Sequence, residues 1–220
     1  MAPIILRSST RGLTRVTLVA LASACHHAKP EAGAANPDSQ RLGSFVGQPL
    51  LIAPVQSIKV APELAWTRLP RTADILASLD RALADTLRVR VTNPQWVYAD
   101  ALVESSRNNP TYATDPHALS IQALKSPKLE IAQRLPEPLA SQVRMMLALH
   151  EGRLVLIPVE LRFERTATGA AHPVLHLVLV DPRLSDIRWF GDVAGDDLPT
   201  FSTAFAASIA AGIANLFVAK

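Results

Sequence analysis

The chain has little of what chemistry usually needs. Of its 220 residues one is cysteine, Cys25, so no intramolecular disulfide can form and any fold must stand on its apolar core. Nine glycines are scattered along it, with no phosphate-cradling Gly-rich loop and no Gly-x-Ser-x-Gly elbow. Aromatic residues make up 5%, and no Lys/Arg cluster is interleaved with them, which argues against a nucleic-acid surface. Histidine spacings do not suit zinc: His26-His27 sit in a polar stretch, His150-Glu151 lacks a following histidine at ligand distance, and His172 and His176 share at best one strand face. No metal and no cofactor is expected. The net charge of +3 is also deceptive, because Arg7, Arg11 and Arg15 account for all of it and the remainder is neutral.

Those three arginines precede Val16 to Ala24, an apolar run far short of the roughly 20 residues that span a bilayer but of signal-peptide length. Small residues at Ala22, Ser23 and Ala24 suit a peptidase, and Cys25 follows directly. The arrangement resembles the lipobox of bacterial lipoproteins, with Ala22 where that motif usually carries Leu; it implies a 1–24 signal peptide and a diacylglyceryl group, with palmitate, on Cys25. A single acyl chain binds membranes only marginally, whereas two or three on one residue hold. Plain secretion and a free thiol are the alternatives. No aspartate follows Cys25, which in the best-known sorting rule leads to the outer membrane.

From Cys25 to residue 46 the chain is rich in Ala, Gly, Pro and Ser without periodicity and reads as a linker; an α/β domain over 47–220 is expected to follow. Residues 48–56 read as a buried strand. Residues 72–90 read as a helix with Leu76, Leu79, Leu83 and Leu87 on one face and Thr72 as N-cap. Residues 95–103 read as a second strand, 104–136 as loops with one or two short helices, and 138–150 as a helix burying Leu139, Val143, Met146 and Leu147. Then come three strands, 153–165, 173–181 and 186–195, joined by short polar turns as an antiparallel meander. In the first of these, Val155, Ile157, Val159, Leu161 and Phe163 alternate onto one face, with Glu160, Arg162 and Glu164 wetting the other. The last helix carries Phe201, Phe205, Ile209 and Ile213 four apart; without a cationic polar face it reads as core-packing rather than membrane-surface. The sum is an α/β (α+β) domain with one mixed sheet of about five strands and helices packed on it.

Three segments resemble a known group, the α/β domain of CsgG-like curli-secretion lipoproteins, LpoB-type penicillin-binding-protein activators and the TolB amino-terminal domain: "LLIAPV" with the Leu-striped helix, "GRLVLIPVELRFER", and "HLVLVDPRLSDIRWFGDVAG" with Asp181 and Trp189 in the expected places. The turn Arg183-Leu184-Ser185-Asp186 departs from the group's Thr-Gly, and no amphipathic spanning hairpins are present, so the pore function is not carried over. The resemblance implies a lipid-anchored, non-catalytic protein-binding or self-assembling module of the bacterial envelope facing the periplasm. Auxiliary lipoproteins of ABC-type lipid transporters share the plan, including "LAWTRLPRTADILASLDRALADTL", and are the alternative. Trp189 is the candidate partner contact and Asp181 the candidate turn closer. An enzyme acting on envelope polymers would need Asp196 and Asp197 to converge with a further titratable group in a deep cleft; helix-dipole stabilisation of the last helix explains the pair without catalysis.

Overall fold

The computed structural model describes residues 42–66 and 68–218; Cys25 and the expected signal peptide lie outside them. Six strands, β1 (Leu50–Ile52), β2 (Ile58–Val60), β3 (Trp96–Val97), β4 (Leu154–Arg165), β5 (Ala171–Asp181) and β6 (Asp186–Ala194), form one mixed sheet in the order β3-β1-β4-β5-β6. β2 is a second segment on the β1 edge: β1 pairs in parallel with β4 at Leu154 to Leu156, and β2 at Leu161 to Phe163. β4, β5 and β6 form the expected antiparallel meander.

Helices cover both faces. α1 (Thr72–Arg90) and α4 (Ala204–Val218) lie on one, over a core containing Leu79, Leu83, Leu87, Leu175, Leu177, Ile209 and Ile213. α2 (Ala99–Asn108) and α3 (Leu139–Ala148) lie on the other, where Leu102, Val143 and Met146 meet Val155, Ile157 and Val178. The chain runs outward from β1 to β3 with α1 on one face, then back past β1 to β4 with α2 and α3 on the opposite face, as a single hand of crossover requires.

Two irregularities decide which residues face which core. Pro158 pairs with Leu177 but Glu160 with His176, so Val159 is the extra residue of a β-bulge. Val155, Ile157 and Val159 therefore face the α2/α3 core, while Leu161 and Phe163 face the α1/α4 core with Leu154 and Leu156. The single apolar face expected from strict alternation is split between two cores. In β6 the register shifts again at Arg188, placing Ile187 and Trp189 on opposite faces in spite of their period-2 spacing.

Other expectations shift for local reasons. Residues 95–103 are not one strand: β3 ends at Val97 and α2 begins at Ala99, where Asp100 suits the first helical turn. Thr72 is the first helical residue of α1, with Arg71 at the cap and no side-chain cap bond. Ile75 rather than Leu76 is the fully buried member of the helix's first turn. Leu42, ahead of the first expected strand, also belongs to the core: its side chain is fully buried, and its N–H donates to Leu216 O at 2.9 Å.

In α4 the apolar stripe holds. Phe205, Ile209 and Ile213 are fully buried, and Phe201 joins Trp66, Phe163 and Phe205 in an edge-to-face aromatic cluster with centroids 5.2 to 6.2 Å apart. Gly212 lets the helix approach β6, since a Cβ there would stand 2.7 Å from Val193. Asp196 N–H donates to Ser208 Oγ, 3.1 Å away, which ties the strand exit to the opening turns of α4. Replacing Ile209 by Ala should remove buried methylenes at a cost of roughly 2–5 kcal/mol and lower the melting temperature markedly. Ala207→Ser, on the exposed side, should change it little. An unchanged melt for Ile209→Ala in calorimetry would mean that the helix does not hold the core.

Candidate functional site

Two polar features stand out against the two apolar cores. The first is a groove of about 420 Å³ between α1 and α2, with Asp80, Arg81, Asp85 and Arg88 on one wall and Asp100, Glu104 and Arg107 on the other, and His117 at its rim. α1 supplies Asp80 because it lies four residues after Leu76 and four before Ala84, on the flank of the apolar stripe. Its Oδ1 accepts the N–H of Val55 at 2.8 Å, pinning the segment after β1 to the helix. Burial pushes this carboxyl up to about 7, against the smaller opposite pull of the Val55 N–H. Across the groove, Arg88 Nη2 lies 3.0 Å from Asp100 Oδ2, and its guanidinium stacks 4.5 Å from the Tyr98 ring centre. The walls carry both signs of charge, which suits recognition of a polar, mixed-charge segment rather than a lone anion or cation.

The second feature is a row across the meander. Glu160, His176 and Asp192 are register partners on β4, β5 and β6, and the Val159 bulge turns them to the α2/α3 side beyond its helical cover. Lys125 Nζ bonds Glu160 Oε1 at 2.6 Å, Arg162 Nη2 bonds Asp192 Oδ2 at 2.7 Å, and His176 Nδ1 lies 2.6 Å from Asp192 Oδ1. Nε2 of His176 faces Leu124 O at 3.2 Å, so both ring nitrogens point at acceptors. Burial raises Asp192, but the bonds from His176 and Arg162 outweigh it and leave the carboxyl below its ordinary range. A cavity of about 220 Å³ opens beside this row, and each of its charged side chains already has a partner. That is a charge-balanced network closing the sheet, with no nucleophile positioned on His176.

The residues singled out in the sequence fall elsewhere. Trp189 is 5% exposed, packed in the α1/α4 core against Gly191, with its indole N–H unpartnered; the surface it offers a partner is small. Asp181 is buried, and its Oδ1 accepts the N–H groups of Arg183 and Leu184 at 3.0 and 3.3 Å, closing the β5–β6 turn as expected. Asp197 pairs with His172 at 2.6 Å on the surface, both side chains well exposed, so the convergence that an envelope-polymer enzyme requires is not made there. Met146 is core, while Met145 is exposed. Among the described residues, no group of three or more His, Cys, Asp or Glu is placed to hold a metal ion, and no helix is long and apolar enough to cross a membrane.

No family model matches the chain, and no curated protein matches it. Solved structures do. The PelC dodecamer from Paraburkholderia phytofirmans is 12% identical, with 80% of this chain and 91% of that chain covered and a TM-score of 0.38. The NMR structure of E. coli LpoB is 15% identical, covering 89% and 86%, at 0.37. Lipoprotein GNA1162 from Neisseria meningitidis is 15% identical, covering 70% and 83%, at 0.33. LpoB, one of the three groups that the sequence resembles, is thus among the similar structures, while the CsgG and TolB likenesses are not confirmed. At such scores and identities the likeness carries no argument about activity, which has to come from this chain's own residues.

The raised Asp80 yields a pH test. An acid whose folded value lies above its unfolded value of 3.8 favours the folded state below that value, and this contribution is lost as pH rises through about 7. Asp80→Asn, which keeps an acceptor for Val55 N–H, should therefore stabilise the protein by roughly 4 kcal/mol at pH 8, with the gain vanishing near pH 4. Melting curves of both proteins across that range measure it; a constant difference would remove the buried-acid assignment.

Proposed function

We propose that this protein is a lipoprotein of the bacterial envelope, tethered through an acylated Cys25, whose domain acts as a non-catalytic binding module for another envelope protein. The observation that carries the reading is the exclusive placement of the single cysteine directly after a basic, then apolar, then small-residue leader. The domain organisation follows from it: signal peptide 1–24, a tether from Cys25, and the α/β domain. Support for binding rather than chemistry comes from the polar side chains. The charged row across the meander is internally paired, and Asp80 lies in a groove with mixed-charge walls and no adjacent nucleophile. The α1–α2 groove is the recognition surface in this reading. An outer-membrane anchor facing the periplasm is the finer form of the proposal, and an auxiliary subunit of a lipid transporter is a narrower version of the same binding role.

Cys25→Ser should abolish incorporation of labelled palmitate and release the protein from the membrane fraction. If the serine protein fractionates with membranes as fully as the wild type and palmitate labels neither, the tether does not exist. For the groove, Glu104→Arg with Arg107→Glu reverses exposed wall charges and should reduce partner capture by about ten-fold or more without altering the melt, since exposed pairs contribute little to stability. Capture from cross-linked membranes, quantified by mass spectrometry against the wild type, measures this; equal recovery of every partner excludes the groove.

A further inference from the structure

Leu42, the first described residue, has its surroundings at one end of the sheet. Leu42 N–H meets Leu216 O near the end of α4, Asn93 Nδ2 donates to Val46 O at 2.6 Å, and Trp96 Nε1 donates to Gln48 O at 3.2 Å. β1, β3 and β4 all begin here, by the pairings of Leu50 with Trp96 and with Leu154, and the β5–β6 turn lies at the same end, since Val155 pairs with Val180. α1 ends here as well: Arg90 bonds Ala211 O and Asn215 Oδ1 of α4, at 3.2 and 2.7 Å.

What this end shows to solvent is apolar and basic. Val89 is 80% exposed, Leu184 48% and Val218 48%, although the two cores swallow most other large apolar side chains. Among them stand Arg90, Arg153 and Arg183. Arg153 reaches Asp181 only at 3.6 Å, and Arg183 has no ion pair among the described residues. Against these, Asp181 is buried and Asp186 is turned inward, while Glu151 is exposed and exposed Glu137 is paired at 2.8 Å with Arg144, which also donates to Ser185 Oγ in the turn, so arginines still outnumber the exposed acids.

We infer that this end of the sheet is a membrane-docking surface, fitted to a bilayer rich in anionic headgroups. The inference rests on the Cys25 tether. Residues 26–41 separate that cysteine from Leu42, and even fully extended they span no more than roughly 55 Å, against a domain roughly 40 Å across. A tether of that length keeps the domain within reach of its own membrane without fixing its orientation, which is left to the surface the domain presents. Exposed Val89, Leu184 and Val218 gain from contact with the interface, and arginines gain from anionic lipid over a distance of about one Debye length. The docked domain points the β4–β5 turn, residues 166–169, away from the membrane.

The test is amide hydrogen exchange on the full-length lipidated protein, reconstituted into vesicles of phosphatidylcholine alone or with phosphatidylglycerol. Anionic vesicles should slow exchange at 182–185 and 88–91 by roughly ten-fold, the scale that a few surface arginines supply, while 166–169 stays unchanged. Arg183→Glu with Leu184→Ser, both at exposed positions, should lose that protection and keep its melting temperature. Equal exchange on both vesicle types, protection centred on 166–169, or the same protection from inorganic phosphate without vesicles would each overturn the inference. Cys25→Ser at high lipid concentration separates it from the anchor: anion-dependent protection without acylation of the wild type would sink the anchor and keep the surface, whereas an anchored wild type with no protection at 182–185 sinks the surface alone.

Discussion

Strand β4 is covered on both faces from Leu154 to Val159, and a strand buried on both sides leaves no position for a polar side chain. This constraint shapes the domain. It demands helices on both faces, which α1 and α4 supply on one side and α2 and α3 on the other. It also demands that the strand change character where the α2/α3 cover ends, and the Val159 bulge does that in one residue. Before the bulge, odd-numbered side chains enter the α2/α3 core; after it they enter the α1/α4 core, and the even-numbered Glu160 and Arg162 come out where the cover stops. Strict alternation through Val159, with no bulge, would project Leu161 and Phe163 to the side now held by Glu160 and Arg162, and would drive those charges under α1 and α4, where nothing could pair with them.

The polar row is the complement of that switch. Glu160, His176 and Asp192 line up across three strands because the bulge sets them in register, and Lys125 and Arg162 supply the positive charge that makes their partial burial tolerable. A network this well paired contributes little net stability, since desolvation offsets most of the attraction, but removing one member would strand the others. Catalytic sites instead keep a reactive group underused. The group closest to that condition is Asp80, in the α1–α2 groove, and it is held as a buried acid by its position on the flank of an apolar helix face.

The order of elements was legible because its signals are periodic. The Leu stripe of α1, the Phe205-Ile209-Ile213 stripe of α4 and the three alternating strands with short polar turns each repeat a signal several times over. The misreadings occur where one residue changes the rule. Nothing in "LVLIPVELRFER" marks Val159 as extra, because a bulge is decided by the partner strand; Arg188 in β6 is hidden for the same reason. At 95–103, Trp96-Val97-Tyr98 has strong strand propensity and outweighs the helix start at Ala99, although Asp100 marks it. Asp80 gives no periodic signal, because the leucine stripe leaves the intervening residues reading as solvent-facing, whereas a position four from Leu76 and from Ala84 is at the edge of the buried stripe. For Trp189 an alternating strand position allows both a core place and a partner contact, and only the partner strand's register decides which face it takes.

The same accounting bears on where a partner could act. Nearly every large apolar side chain of the described residues is spent on the two cores, so tight association through an extensive apolar interface would need surface that this domain does not display. What it displays includes mixed charge along the α1–α2 groove on one flank, scattered valines and a leucine among arginines at the end where β1 and β4 begin, and isolated apolar side chains such as Tyr112 and Ile131 elsewhere. A binding role built on the first kind of surface is selective through charge placement and dissociates readily. Such an interaction is weak in free solution, and confinement is what makes it effective. On the proposed tether, the domain and a partner in the same membrane would meet at a high effective concentration, so a modest affinity would suffice. The proposed anchor at Cys25 and the polar character of the groove therefore belong to one physical argument: an interface with little apolar area works only if its owner is kept where its partner is.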